Sequence, residues 1–339
     1  MRRLTRLRGA IVSTVYRYPL NSPWVHTTIR TGIARWFLPL WFSYHSLIAV
    51  VYFLRWPNSC AFDVRLYRLA AESWLAGQDP WAPTLGFDAW HPAISYAGPP
   101  PTLLPFIVLA WIPVDVLVLG FVLISGAVAM WTLRRLGLPM WWMLFPPLVE
   151  GIWVGNLNIF VIALLVAGGS IAGGLAAILK VYAVVPLVLL GRWKPLVIAG
   201  AAMLVTFPFL PWADFLAQYP RISASLSGQA WGGATSIYTS PLVTAGAAIG
   251  LVLIGRERAA WLAVPVLWPA TQLHYSVLAL PALTPFLAVF ASVYEPGLLG
   301  VGVILYALWV RRELVVSVLS RRPSVARRDV PARQGVPGG

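Results

Sequence analysis

Ionisable side chains are scarce in this sequence, so each one lying inside or beside an apolar run is a candidate for chemistry. The chain of 339 residues holds 11 Asp and Glu, 4 His and 25 Lys and Arg. Asp63 opens the stretch Asp63-Val-Arg-Leu-Tyr-Arg-Leu-Ala-Ala-Glu-Ser-Trp-Leu-Ala-Gly77. A carboxylate there can act as a general base toward a group within hydrogen-bond reach, or it can cap the free amides of a helix start. His274 ends another apolar run, where an imidazole can simply bond a helix terminus. Lys180 stands in apolar sequence with few charges nearby. A cation so placed costs ~2.5–3.5 kcal/mol on insertion scales, so it either faces a polar cavity or snorkels to the cytoplasmic interface. Asn156 and Asn158 can tie helices together through their amides. Glu150, Asp79, Asp88 and Asp214 are secondary carboxylates, with Asp79-Pro80 reading as turn chemistry. The histidines and Cys60 lack metal-ligand spacing, so no metal centre is expected. No phosphate-cradling Gly-rich loop is found, which argues against ATP or a nucleotide-linked substrate.

The elements that must hold these groups are membrane helices. Hydrophobic residues make up 59% of the chain and charged residues 11%, against roughly 25% charged in soluble domains, and the mean hydropathy is +0.76. Apolar stretches recur at Trp36–Leu54, Leu103–Leu133, Asn158–Leu190, Pro195–Leu210, Pro241–Ile254, Trp261–Phe290 and Leu298–Val310. A bilayer pass needs ~20 such residues, and backbone amides in lipid must pair within their own segment. The expectation is an all-α, polytopic transmembrane bundle of about eight to ten membrane segments.

The net charge of +14 is concentrated at the ends. Arg2, Arg3, Arg6, Arg8, Arg17, Arg30 and Arg35 precede the first span, and Arg311, Arg312, Arg321, Arg322, Arg327, Arg328 and Arg333 follow the last. That pattern reads as positive-inside bias with attraction to anionic lipid heads. No aromatic-interleaved basic motif accompanies it, so nucleic acid is not an expected partner. Residues 1–35 are then a basic cytoplasmic segment, 36–312 the transmembrane domain, and 313–339 a basic, disordered cytoplasmic tail. No cleavable signal peptide is expected, because the first apolar run reads as a retained anchor. The single Cys60 cannot form an internal disulfide. Arg134 with Arg135, Arg192 with Lys194, and Arg256 with Arg258 mark cytoplasmic returns, which leaves 55–101 and 211–240 as outer loops. Between Arg135 and Arg192 lie three apolar pieces, Pro139–Trp153, Asn156–Val166 and Ile171–Leu190. Two cytoplasmic flanks permit only an even number of crossings, so one piece must be broken or re-entrant. The stretch from Arg258 to Arg311 poses the same problem. No internal repeat is visible, which weakens a transporter reading.

The stretch from Asp63 to Gly77 predicts a short amphipathic helix lying in the interface. Arg65, Arg68 and Glu72 share its polar face, while Leu66, Ala70, Trp74 and Leu75 face the membrane or the bundle. Gly77 suits a left-handed C-terminal position, and Gln78-Asp79-Pro80-Trp81 turns the chain back. The whole run closely resembles the signature loop of the polyprenyl-phosphate-mannose-dependent α-mannosyltransferases, glycosyltransferase family 87 of the GT-C superfamily. That loop has Asp, Tyr four residues on, an Ala-Ala pair, a Leu, a Gly and then Asp-Pro-aromatic. Asp63, Tyr67, Ala70, Ala71, Leu75, Gly77, Asp79, Pro80 and Trp81 fit it without a gap. Echoes follow in the family's order: Pro99-Pro-Pro101 with Leu-Leu-Pro105, Gly155-Asn-Leu-Asn158 (Asn156 standing for a Gln), Lys180-Val-Tyr182, and Leu273-His-Tyr275.

The resemblance implies a GT-C-type membrane glycosyltransferase. It would transfer a hexose, mannose foremost, from a polyprenyl-phosphate donor to a hydroxyl acceptor on a glycolipid or polysaccharide, with inversion. Asp63 would be the general base and His274 would orient or stabilise a reacting group. Lys180 and Arg221 are candidates for the donor phosphate, and Tyr67, Asn156 and Asn158 for substrate binding, the two amides toward sugar hydroxyls. Trp81, Trp90 and Trp231 could stack on sugars. The expected setting is the cell membrane with the site on the outer face, with membrane lipids as partners and no cofactor beyond the lipid-linked donor. The alternative is a transporter or flippase for a lipid-linked or other solute.

Overall fold

The computed structural model describes residues 32–56, 59–86, 93–228 and 235–312. Asp88, Trp90, Gln229, Trp231, most of the N-terminal basic segment and the 313–339 tail lie outside them. The fold is predominantly helical. In chain order the helices are α1 (Gly32–Leu54), α2 (Phe62–Leu75), α3 (Leu103–Leu109), α4 (Val114–Arg135), α5 (Pro146–Trp153), α6 (Asn158–Ala167) and α7 (Ser170–Leu179). They continue as α8 (Val184–Leu189), α9 (Trp193–Thr206), α10 (Trp212–Gly228), α11 (Pro241–Ile254) and α12 (Arg256–Leu267). A 3-10 helix, Leu273–Ala282, then leads to α13 (Pro285–Ala291) and α14 (Leu298–Val310). The one departure from an all-α chain among the described residues is a minimal antiparallel ladder, β1 (Thr84–Leu85) with β2 (Ile94–Ser95), pairing Thr84 with Ser95 and Leu85 with Ile94.

Two described segments are long and apolar enough to cross a bilayer, Trp36–Leu54 in α1 and Val114–Arg135. A third results if α5 and α6 form one span, but their axes bend by 117° at the break between them. Six further apolar helices are 10–17 residues long. Where hydropathy predicts about eight to ten membrane segments, many of the apolar stretches are thus divided into shorter pieces. Between Arg135 and Arg192 the helices are interrupted at 154–157, at 168–169 and at Lys180.

The main core joins the inner helices through Phe42, Phe145, Ile159, Ile162, Leu262 and Val277. A second cluster, with Phe62, Tyr67, Trp81, Tyr96, Leu103 and Phe106, packs α2 and the 79–106 region onto Leu157. The arginines of the connectors have a clear local purpose. The last carbonyls of a helix lack intrahelical partners and carry the negative end of its dipole. Arg256 donates to Leu189 O at the end of α8, Arg311 to Leu253 O near the end of α11 at 2.8 Å, and Arg192 to Leu165 O near the end of α6 at 3.3 Å. Arg192, Arg256 and Arg311 thus each close the C-terminus of a neighbouring helix.

Candidate active site

The site begins where two helix ends satisfy each other. Val154 ends α5, Gly155 takes a left-handed φ of 69°, and Asn156 N bonds back to Gly151 O at 2.9 Å. That is a Schellman closure. The carbonyls it leaves over meet the start of α2: Ala61 N donates to Trp153 O at 2.7 Å and Asp63 N to Val154 O at 2.9 Å. The N-cap of α2 is therefore Ala61, with no side-chain cap bond. Asp63 does not cap the helix, which corrects the simpler reading of that residue. Because carbonyls of α5 take up amides at the start of α2, the carboxylate is released for another partner: Asn156 Nδ2 donates to Asp63 Oδ2 at 2.5 Å.

From Asp63 the polar network runs inward. Asn156 Oδ1 accepts from Asn158 N at 2.8 Å, Asn158 Oδ1 accepts from Tyr182 OH, and Asn158 Nδ2 reaches His274 O at 3.5 Å. Both amides are buried, 4% and 0% exposed, and tie α5, α6, the Lys180 turn and the 3-10 helix together. The Tyr182 ring lies 5.1 Å from that of Tyr275. Lys180, at the break between α7 and α8, donates to Tyr67 OH at 3.1 Å with Nζ 5.5 Å from the ring. It does not snorkel toward the arginine connectors; it turns to α2. The Asp63 charge acts on Tyr67, Lys180, Tyr182 and Tyr275. Burial, reinforced by that carboxylate, pushes the Tyr67 phenol well above its usual 10.0 and keeps it protonated. Asp63 and Lys180 are half-buried, whereas the amides behind them are fully enclosed.

His274 is enclosed by protein. It is 3% exposed, and its Nδ1 lies 2.8 Å from Oε1 of Glu150, itself 3% exposed. Glu150 is the partner that sequence reasoning undervalued, since nothing local links it to residue 274. Tyr182 and Tyr275 were likewise missed, although each sits beside a residue singled out by type.

Arg221 is not joined to the Asp63 network by a hydrogen bond among the described residues. Its Nη2 donates to Trp81 O at 2.5 Å, Ala82 O at 3.2 Å and Ser95 Oγ at 3.1 Å, clamping α10 to the ladder region. Asp79 accepts from Trp81 N at 2.9 Å and Gln218 Nε2 at 2.7 Å, the expected turn chemistry with an added tie to α10. Trp81 is 0% exposed and its indole donates to Gly98 O, so it cannot stack on a sugar. On α2, Leu66 and Ala70 are buried as expected, Leu75 is 50% exposed, and Tyr67 takes part of the inner face instead. Gly77 has the left-handed φ of 74° expected of it, with Gln78 N on Ser73 O at 2.8 Å. Among the described residues no three His, Cys, Asp or Glu side chains converge as a metal site. No protein-family model, curated protein or solved structure matches this chain.

Proposed function

We propose that the protein is a multi-pass membrane glycosyltransferase that moves a hexose, mannose first among candidates, from a polyprenyl-phosphate donor to a hydroxyl acceptor. The observation that carries this reading is a half-buried carboxylate and a half-buried ammonium on neighbouring elements, Asp63 bonded to Asn156 and Lys180 bonded to Tyr67 of the same helix α2, with the Asp63 charge acting on Lys180. The acceptor O–H would give its proton to Asp63 as its oxygen bonds the anomeric carbon. The bond from that carbon to the phosphate oxygen would break, leaving polyprenyl phosphate with its added charge facing Lys180. One base on the attacking side is sufficient for inversion. Arg221, engaged as a clamp, is a weaker phosphate candidate than Lys180.

The placement of charge supports an outer-face site. α4 begins beside Asp63's helix, where Leu117 packs with Ala61 and Val64, and it ends at Arg134 and Arg135. Over 22 residues that is ~33 Å of helix, about the thickness of a bilayer core. α6 likewise begins at Asn158 and ends where Arg192 bonds Leu165 O. The arginine connectors therefore stand at the far end from Asp63, as the positive-inside rule asks of a cytoplasmic face.

The test is transfer of radiolabelled mannose from polyprenyl-phosphate mannose by the full chain in proteoliposomes. Asp63→Asn should lower turnover by about 10²–10⁴-fold, the usual worth of a general base, while the protein keeps its melting point. Full turnover in that variant removes Asp63 as the base. The helix breaks around Asn156 and Lys180 also suit a carrier. Lipid-linked sugar crossing the vesicle without covalent change would favour that second reading.

A further inference from the structure

The pair formed by Glu150 and His274 lies apart from the Asp63–Lys180 charges and has its own internal logic. Each side chain is 4% exposed, and Oε1 and Nδ1 are 2.8 Å apart. The second carboxylate oxygen, Oε2, is buried without a hydrogen-bond partner. Burying a carboxylate costs several kcal/mol after relaxation, and a single bonded oxygen offsets only part of that. A pair serving stability alone would be expected to satisfy both oxygens. What this arrangement does achieve is control of one ring atom. A carboxylate accepts and cannot donate, so it draws the ring proton to Nδ1 and leaves Nε2 bare in the neutral imidazole.

The ring is also fixed at its backbone. His274 O accepts from Asn158 Nδ2 at 3.5 Å, and Asn158 is bonded through Asn156 to Asp63. The neighbouring Tyr275 ring, 5.2 Å from that of His274, feels the Asp63 charge. Glu150 comes from α5, whose last carbonyls also seat α2. The same short helix thus orients both the carboxylate-bearing helix and the imidazole.

We propose that Glu150 is a positioning residue that takes Nδ1–H of His274 and so presents Nε2 as the hydrogen-bond acceptor of the ring toward a reacting group. The reaction assigned to that ring rests on the transferase reading; the tautomer does not.

Histidine-labelled full chain in phosphatidylcholine nanodiscs separates the two. Long-range proton–nitrogen NMR at about pH 8 reads the ring protonation directly, and His274→Gln identifies the signals. The wild type should show Nδ1 protonated and Nε2 bare. Glu150→Asp should keep that state. Glu150→Gln offers an amide N–H to Nδ1 and should shift the ring toward Nε2–H, the wrong tautomer for an oriented base. A wild-type ring already protonated on Nε2, or a Glu150→Gln spectrum identical to wild type, overturns the proposal. Where Glu150→Gln fails to fold, the wild-type and Glu150→Asp spectra still decide it. In the transfer assay Glu150→Gln should lower kcat about tenfold or more with KM little changed, and Glu150→Asp should recover part of the loss. A changed tautomer with unchanged kcat refutes the ring's part in the reaction. Absence of transfer in wild type defeats the transferase reading while the spectrum still decides the orientation.

Discussion

The long helices and the broken ones divide the molecule's work. α1 and α4 are unbroken, and their most apolar windows are only 17% and 28% buried, so they present apolar surface outward. α5 through α8 and the 3-10 helix are short and repeatedly interrupted, with α5, α6 and the 3-10 helix largely buried. The polar groups singled out in the interior sit at those interruptions: Asn156 between α5 and α6, Lys180 between α7 and α8, and His274 in the 3-10 segment after α12. A break frees backbone amides and carbonyls, which in an apolar interior must be paired again. Asn side chains and the meeting of two helix ends do that here, and the same devices bring ionisable groups together. The long helices present apolar surface outward, and the interrupted ones hold the polar network.

The sharpest way to break this contrast is to charge the outward face of α4. Leu123 lies near its middle and is 64% exposed. In a bilayer Leu123→Arg should cost ~2.5–3.5 kcal/mol of insertion free energy, seen as a large fall in the membrane-inserted fraction. The same change at Leu75 of α2, 50% exposed, should be mild, as expected of a short amphipathic helix that lies in the interface. Equal and negligible effects would place α4 in water, where surface substitutions stay within about 0.5 kcal/mol.

A smaller effect with opposite signs is expected at two glycines. Gly155 has φ of +69°, and a Cβ there would meet Val64 Cγ2 at 2.5 Å and Ala61 Cα at 3.3 Å. The left-handed backbone alone costs a side chain ~1–2 kcal/mol, and the collision adds to that by pushing α2 off its seat. Gly155→Ala should lower the melting point and weaken the Asn156–Asp63 bond, with transfer falling beyond what stability explains. Gly126 in α4 has nothing within 4 Å. Gly126→Ala should be neutral or stabilising by up to ~1 kcal/mol, since Ala is the better helix former. Matching losses at both positions would mean that the irregular segment is no more tightly specified than the regular one.

How much of this was legible depended on how local the cause was. The end of α2 at Gly77 and the turn at Asp79 follow from residues within a few positions of each other, and both were readable. Interruption somewhere between Arg135 and Arg192 was also expected, and the helices there are broken at 154–157, at 168–169 and at Lys180. The role of Asp63 was ambiguous for a physical reason: its helix starts earlier, at Phe62 with Ala61 as N-cap and Arg65 N already on Ala61 O, and its carboxylate goes to Asn156, a residue far along the sequence. The joining of Lys180 to Tyr67 and of Glu150 to His274 is equally non-local. Hydropathy found the apolar stretches but smoothed over the interruptions within them, and the interruptions are where the polar network forms.

Arg221→Lys gives the finest comparison, because the clamp and the phosphate readings of that residue predict different quantities. The guanidinium uses one nitrogen on two carbonyls and a hydroxyl, joining α10 to residues 81–95. An ammonium is a point donor on a flexible stem and matches that fan poorly, so about 1 kcal/mol should be lost, one hydrogen bond's net worth. If Arg221 only clamps, limited proteolysis within residues 79–96 should quicken while the KM for the lipid-linked donor stays put, since the proposed reading gives the phosphate to Lys180. If the donor KM rises several-fold with proteolysis unchanged, the guanidinium is meeting substrate. The Asp63 network would then extend to α10, and the charged centre would be shared between the interior breaks and that helix.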